Sequence, residues 1–430
     1  MEKDENISPQ EKIGHLFREL SGKMTAALSH FFGLQHLEFV EDVVQETFYA
    51  ALKTWPTHFP ANPQAWLFKV AKNKAINLIK RNHHIRDHLI KKYWNLHHEN
   101  DLFSIMDGAF DEGIIHDNQF RLLIAGSHAT VNSRNQIIFI LKTLGGFGTS
   151  EIANALIMNT EAVAKNYQRT VKALKEKGIG LEDVSVRETR AKLDLVHKVI
   201  YLLFNEGYKA SSGPHLLKEE LCFEAIRLAK ILLQAHCFNP ATNALLSLMY
   251  FNLARFQGRV GQMGELILLK DQDRKLWDKQ LIGIGFQYFS ESMTGENLTS
   301  FHIEAAIASL HCISSDYKST DWSKLLFYHD KLVALNPSPV THLNRIVVLK
   351  MIKGPGFALK QLLENEHLQT PKKNYLYFAV KGQLLEEQHM FSDAVADYEA
   401  ALSLAENQSE KRFLSQRLEQ CKINAQAGNK

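Results

Sequence analysis

A chain of 430 residues is longer than one hydrophobic core usually supports, so two or three domains are expected. A hydrophobic content of 45% excludes global disorder, and 23 glycines with 10 prolines are too few for the turns of a long β-sandwich, which favours an all-α fold. The net charge of +3 is weak evidence about partners, so the places where charge is concentrated matter more.

Two helices are predicted over residues 12–55, with a break near Gly33. The second has apolar positions at helical spacing: Val40, Val43, Val44, Thr47, Phe48, Ala51 and Leu52. Its opposite face carries the polar residues Glu41, Asp42, Gln45 and Glu46. An acidic face of this kind suits a basic protein partner.

The proline-rich segment 55–63 interrupts helical structure, and Asn62 followed by Pro63 is typical of a helix start. The helix predicted from Pro63 to about Asn82 has a polar, mostly cationic face made of Lys69, Lys72, Asn73, Asn77, Lys80 and Arg81. The aromatic candidates beside it are Phe59, Trp66 and Phe68. This combination suits a strand with unstacked bases, although Trp66 is equally well explained as a core anchor.

A polar, His-rich linker with one short helix is predicted over 86–117, followed by a compact helical segment over 118–182. In the latter, the turn 145–149 precedes a short helix, Ser150–Leu156, and a longer basic helix that Asn159 or Thr160 caps. The pattern predicts a helix-turn-helix, whose core-facing positions are Val163, Tyr167, Val171 and Leu174. The outward positions are Ala164, Lys165, Gln168, Arg169 and Lys172. An ordinary helical hairpin is the alternative.

Two basic stripes, Lys69–Lys92 and Lys165–Lys177, interrupt an otherwise nearly neutral chain. They indicate either a polyanion contacted at two places or two solvated helix faces. The four cysteines are widely separated and form no C-x-x-C pair, so we expect neither a zinc site nor a disulfide framework. No metal site and no cofactor are expected. The charged N-terminus and the absence of a long apolar run predict a cytoplasmic protein with no membrane contact.

The remaining segment, 188–424, is predicted to be a succession of helices. A tetratricopeptide-repeat (TPR) pattern is plainest at Phe378, Gly382, Leu385, Ala394, Tyr398 and Ala401. Polar residues that could form an enzyme site, or only cap and pair helices, are Asn205, Glu206, Glu224, Arg227, Asp271, Asp273, Arg274, Asp321, Asn344 and Arg345. No catalytic residue is assigned, and we expect a protein that is not an enzyme.

Taken together and in this order, the motifs of 12–182 resemble a sigma factor of the extracytoplasmic-function (ECF) type. The run 40–48 is similar to the family's helix that binds the clamp helices of polymerase β′, and segment 66–81 resembles the region that opens and reads the −10 element. Runs such as FNEGY at 204–208 and EAIRLA at 224–229 are similar to one ECF subgroup with a TPR-like extension. Asn77 and Asn166 depart from that pattern, which carries Asp and Arg there.

The resemblance implies core RNA polymerase and promoter DNA as partners. It assigns polymerase binding to Glu41, Asp42, Gln45 and Glu46. It assigns the −10 contact to Phe59, Asn62, Trp66, Lys69, Lys72, Asn73, Asn77, Lys80 and Arg81. It assigns the −35 contact to Ala164, Lys165, Gln168, Arg169 and Lys172. The implied domains are sigma region 2 at 12–85, a linker at 86–117, sigma region 4 at 118–182 and an extension at 188–424.

The implied function is promoter-specific transcription initiation, with the extension regulating activity through a bound protein or ligand. The alternative is a helix-turn-helix transcriptional regulator whose C-terminal half senses a ligand or protein. That alternative leaves the acidic face of 38–52 and the Trp66 segment unexplained.

Overall fold

The computed structural model describes residues 9–82, 85, 89, 105–106, 108–156, 158–181, 186–208, 217–234, 239–261, 266–294, 297–368 and 375–428. Within these ranges the regular elements are helices, and the one β-type pairing is an isolated bridge between Val260 and Leu266. The prediction of an all-α fold is therefore confirmed. No helix in the described part of the chain is both long and apolar enough to span a bilayer.

The helices of the N-terminal half are α1 (Pro9–Phe32), α2 (Leu37–Thr54), α3 (Pro63–Arg81), α4 (Glu112–Gly126), α5 (Ser133–Thr143), α6 (Thr149–Leu156), α7 (Thr160–Glu176), α8 (Val186–Tyr208) and α9 (Glu219–Gln234). A 3-10 turn, Leu34–His36, joins α1 to α2. Helix α4 begins inside the segment predicted as a linker, most of which lies outside the described residues.

The helices that follow are α10 (Pro240–Leu253), α11 (Phe256–Arg259), α12 (Lys279–Ser292), α13 (Ser300–Ile313), α14 (Trp322–Leu335), α15 (Pro339–Lys353), α16 (Pro355–Glu364), α17 (Tyr375–Glu386), α18 (Phe391–Leu404) and α19 (Gln408–Gly428). Short 3-10 turns occur at Leu269–Asp271, Arg274–Leu276 and Glu366–Leu368.

The chain divides into two compact units. The first comprises Met1–Leu202 and Lys230–Cys237, and the second comprises Leu203–Ala229 and Phe238–Lys430. Each unit has its own apolar interior.

Local signals in the sequence set the helix starts of the first unit. The Asn62 side chain accepts a hydrogen bond from the Ala65 N–H at 3.0 Å, with Pro63 as the first helical residue of α3. The Asn159 side chain caps α7 in the same way, through the Ala162 N–H. Both predicted caps are confirmed. Gly33, at φ 82°, adopts the left-handed conformation that breaks the chain between α1 and α2.

Close backbone approach places α1 against the turn that follows α5. A Cβ atom at Gly22 would lie 2.0 Å from the carbonyl oxygen of Leu144, so this helix position has no room for a side chain. On the other side of the contact, Gly146 has φ 66°, and a Cβ there would lie 2.2 Å from the Ser21 hydroxyl. Helices α1–α3 and the segment α4–α7 thus form parts of one packed unit.

In the second unit, the predicted contact between α17 and α18 is present. A Cβ at Gly382 would approach the Tyr398 ring to 3.2 Å, and Ala394 and Ala401 are fully buried. Small residues therefore allow these two helices to pack closely, and the four-residue connection between them makes the pair antiparallel.

Candidate functional site

The face of α2 that the sequence analysis singled out is mostly open. Asp42, Gln45 and Glu46 are exposed, while Val40, Val43 and Val44 are buried in the core of α1–α3. Glu46 forms a surface ion pair with Lys74 on α3, at 2.9 Å. The arrangement presents acidic and amide groups to a partner on one side of an otherwise buried helix.

Glu41 differs from its three neighbours because it is largely covered. The hydroxyl of Tyr167 on α7 donates a hydrogen bond to Glu41 Oε1, and Lys142 Nζ on α5 lies 3.6 Å from Glu41 Oε2. Burial raises the pKa of the Glu41 carboxyl, and the nearby Lys142 partly opposes that shift. Burial is the largest cause that raises the pKa of Tyr167 well above its ordinary value, and the nearby charge of Glu41 is the next. The phenol is therefore protonated at neutral pH and can donate this hydrogen bond.

The predicted DNA-contacting aromatic residues are held by Trp55 at the end of α2. Trp55 is 1% exposed, and its ring packs edge-on against Phe59 and Trp66 with centroid distances of 5.0 Å and 5.4 Å. Phe59 remains 43% exposed, whereas Trp66 is half-buried against the core. Of these two rings, Phe59 is the more exposed to solvent.

The polar face predicted for α3 is present on its surface. Lys69, Asn73, Asn77, Lys80 and Arg81 are exposed, and Lys72 is half-buried. Asn62 also lies at the surface, but its side-chain oxygen is used by the helix cap. On the opposite side, the buried residues of α3 are Leu67, Ala71, Ala75, Ile76 and Ile79.

Helix α7 separates its buried and exposed residues sharply. Val163, Tyr167 and Leu174 are buried as predicted, and Thr170 rather than Val171 completes the buried stripe. The predicted outward residues Ala164, Lys165, Gln168, Arg169 and Lys172 are all exposed. The shorter helix α6 begins at Thr149, one residue before its predicted start, and buries Ile152 and Ala153.

Sequence reasoning missed the residues that connect α1, α5 and α7 to the candidate surfaces. Arg18 on α1 forms an ion pair with Glu151 on α6 at 2.7 Å, and its guanidinium lies 4.1 Å from the centroid of the Phe147 ring. Lys142 pairs with Glu41, which is also far from it in the sequence. Neither pairing has a local sequence signal, because the partners are about a hundred or more residues apart.

Several of the polar residues considered for an enzyme site serve local structure. Glu206 pairs with Lys218 at 3.2 Å, Glu224 with Arg227 at 2.8 Å, and Arg345 with Asp330 at 2.5 Å. Asp273 caps the 3-10 turn Arg274–Leu276 by accepting a hydrogen bond from the Lys275 N–H. Asp321 caps α14 in the same way, through the Lys324 N–H. Within the described residues no group of three or more metal-ligating side chains is gathered.

The acidic surface of α2 and the cationic surface of α3 both lie in a segment that matches a known protein family. Residues 16–85 match the family described as Sigma-70 region 2. Residues 192–293 match a family of unknown function, DUF6596. No solved structure matches the chain significantly.

A relative was found among curated proteins. It is "Uncharacterized protein R00370" of Rhizobium meliloti (strain 1021), which is 31% identical over 398 residues, covering 92% of each chain. Identity at this level over nearly the whole length shows common descent. The chain therefore belongs to the same family as the Rhizobium protein, and its Sigma-70 region 2 makes it a sigma-70 family factor with a role in transcription initiation.

Proposed function

We propose that this protein is an ECF-type sigma factor that binds core RNA polymerase through the exposed face of α2. The observation that carries the proposal is the open row of Asp42, Gln45 and Glu46 within the Sigma-70 region 2 match. An acidic row of this kind complements a basic surface such as the one we assign to the β′ clamp helices. The protein itself performs no catalysis, because the polymerase supplies the chemistry of RNA synthesis.

The same proposal assigns two promoter contacts. The exposed Phe59 ring and the polar face of α3 would hold the opened −10 strand, because aromatic stacking tolerates any base and contributes ~1–3 kcal/mol per base. The outward side chains of α7 would read the −35 duplex in its major groove, where Arg169 and Lys165 suit guanine and Gln168 suits adenine. Because both DNA-contacting segments belong to one chain, binding of one segment to the promoter raises the effective concentration of the other at its own promoter element.

Full use of the α2 face requires a rearrangement within the first unit. Glu41 lies under Tyr167 and beside Lys142, so a partner that binds Glu41 has to displace α5 and α7 from this position. The covered Glu41 and the exposed Asp42 therefore predict stepwise binding, in which Asp42, Gln45 and Glu46 make the first contact.

The experiment is co-elution of the purified protein with bacterial core RNA polymerase in size-exclusion chromatography. We expect co-elution by the wild type and its loss on Asp42→Arg, because charge reversal in the row opposes a basic partner. Glu19→Arg is the matched control, since it reverses an exposed acidic residue on α1 that no proposed contact uses. Equal retention by Asp42→Arg and Glu19→Arg would contradict the assignment to α2.

The alternative, a helix-turn-helix regulator, draws support from the exposed cationic face of α7 alone. A regulator of that kind binds duplex DNA without polymerase. Crosslinking of single-stranded −10 DNA to the protein in the presence of core separates the two, because only the sigma factor is expected to capture that strand.

We also propose that the C-terminal TPR-like helices regulate transcription. The close, antiparallel packing of α17 on α18 supports a helical-repeat array, and such arrays form surfaces or cavities that bind partners. A chain truncated at about residue 185 provides the test.

A further inference from the structure

The second unit has a partly open cavity of about 480 Å³ between its stacked helices. Its wall includes Arg255, His311, Tyr317, Trp322 and His329. The volume lies in the range that small-molecule sites usually occupy, and the combination of aromatic rings with a few polar groups is typical of such sites.

Two arginines beside the cavity form no ion pair with an acidic side chain among the described residues. The guanidinium of Arg255 lies 5.0 Å, and that of Arg274 3.9 Å, from the centroid of the Trp277 ring. Arg274 donates one hydrogen bond to the His311 carbonyl oxygen at 3.1 Å. Its Nε and Nη2 atoms, and Nε of Arg255, are buried without a hydrogen-bond partner in the described part of the chain.

The arrangement of these two guanidiniums is energetically costly. They lie close enough that Arg255, after burial, lowers the pKa of Arg274. Burial removes hydration from a cation, and the nearby Cys312 and Asp316 compensate Arg274 only in part, since the pKa of its guanidinium remains lowered. The charge at this position is therefore better explained by an external anion than by packing.

Two histidines add polar groups to the wall of the cavity. His311 is 9% exposed and His329 is 6% exposed, and the Nδ1 atom of each is buried without a partner among the described residues. Burial lowers their pKa values to about 3 and about 4, and for His311 the nearby Arg255 and Arg274 add to that shift. Both rings are neutral at physiological pH and can each offer a hydrogen bond to a ligand without bringing a charge.

We propose that this cavity binds a small organic anion, whose carboxylate or phosphate is held by Arg255 and whose apolar part packs against Trp322 and Tyr317. The planar guanidinium forms two parallel hydrogen bonds to either anion, which explains an arginine at this place. The Trp277 ring holds Arg255 in position, and Gly258 leaves room for that ring, since a Cβ there would lie 3.0 Å from Trp277 Nε1. The described wall of the cavity also contains the side chains of Glu304, Lys270 and Lys350.

The regulatory role proposed for the C-terminal helices would give this anion site its biological purpose. The proposal that the site binds an anion does not depend on that role. Anion binding itself is measured directly on the full-length protein. A ligand that binds without changing transcription would leave the site in place and remove the regulatory role.

The test uses benzoate and inorganic phosphate as probes, with benzamide as the uncharged analogue, and tryptophan fluorescence as the signal. We expect saturable binding of benzoate but not of benzamide. We expect Arg255→Gln to weaken that binding at least tenfold, and the exposed Lys360→Gln, which removes the same charge outside the cavity wall, to leave it unchanged.

Three results would overturn the proposal. The first is no saturable binding of either anion up to about 10 mM, a concentration beyond the millimolar affinities of weak sites. The second is equal affinity for benzoate and benzamide, and the third is equal anion binding by Arg255→Gln and the wild type.

A stability measurement separates binding from packing. Because Arg255→Gln removes a partly buried, unpaired charge, the thermal unfolding midpoint in anion-free buffer is expected to stay at or above that of the wild type. Arg255→Lys keeps the charge without the planar fork, and intermediate binding is expected. A large fall in the midpoint with unchanged binding would assign Arg255 a structural role instead.

Discussion

At the scale of single residues, burial decides which of the chemically similar side chains on α2 are available. The side chains of Asp42 and Glu46 are exposed to solvent. Glu41, one position before Asp42, is instead covered by Tyr167 and Lys142. Burial of a carboxylate costs free energy even when a lysine is close. Glu41 therefore makes the contact between α2, α5 and α7 sensitive to pH.

We predict that Glu41→Gln stabilises the first unit at neutral pH. The pKa of Glu41 is raised in the folded state, so its ionised form is disfavoured there, and this free-energy cost appears as pH rises through the folded pKa. Below the ordinary glutamate pKa of about 4.3, the carboxyl is protonated in both states and the difference disappears. The measurement is the thermal unfolding midpoint of wild type and variant from pH 4 to 8.

The control for this prediction is Glu38→Gln on the same helix, where the side chain is exposed and little change is expected. A variant Glu41→Gln that is less stable than the wild type at neutral pH would show that the Lys142 pair outweighs the cost of burial.

At the scale of helices, the packing of α1 determines how the first unit is assembled. Its position against the turn after α5 depends on the missing side chain at Gly22 and on the left-handed backbone of Gly146. The ion pair of Arg18 with Glu151 adds a surface link between α1 and α6. The helices that carry the two proposed promoter contacts are thus joined through α1.

We predict that Gly22→Ala destabilises the first unit by about 1–3 kcal/mol, because the new methyl group meets the Leu144 backbone, which cannot rotate away. Gly14→Ala on the same helix is the matched control, since a Cβ there meets nothing within 4 Å. In that open position alanine is expected to stabilise the helix by roughly 0.5–1 kcal/mol. Denaturant unfolding of both variants measures the difference, and equal effects would contradict the close approach.

At the scale of the whole molecule, a sigma-type N-terminal unit is followed by a second unit of comparable size that contains most of the DUF6596 match. The second unit has its own core and its own cavity. A separately packed unit of this kind is expected to have a function of its own.

We predict that a chain ending at residue 185 still co-elutes with core RNA polymerase but transcribes from a cognate promoter at a rate at least threefold different from that of the full-length protein. The reason is that the proposed polymerase and DNA surfaces all lie before residue 177, whereas the proposed regulatory helices are removed. Promoter-specific transcription in vitro, at matched concentrations of both chains, measures the ratio. Indistinguishable rates would contradict regulation by the extension.

The sequence by itself determined the elements. Short-range signals were sufficient for the helical class, for the starts of α3 and α7 at Asn62 and Asn159, and for the exposed residues of α7, because helical periodicity and capping act over a few neighbouring residues. Family resemblance, carried by runs such as 40–48, added the functional expectation that the Sigma-70 region 2 match supports.

Only the tertiary structure decided how these elements cover or expose one another. The enclosure of Glu41 by Tyr167 joins residues 126 positions apart, and the placing of Arg255 and Arg274 around Trp277 beside a cavity depends on several packed helices. Neither arrangement has a signature in a local window of sequence, because burial and unpaired charge are properties of the assembled core.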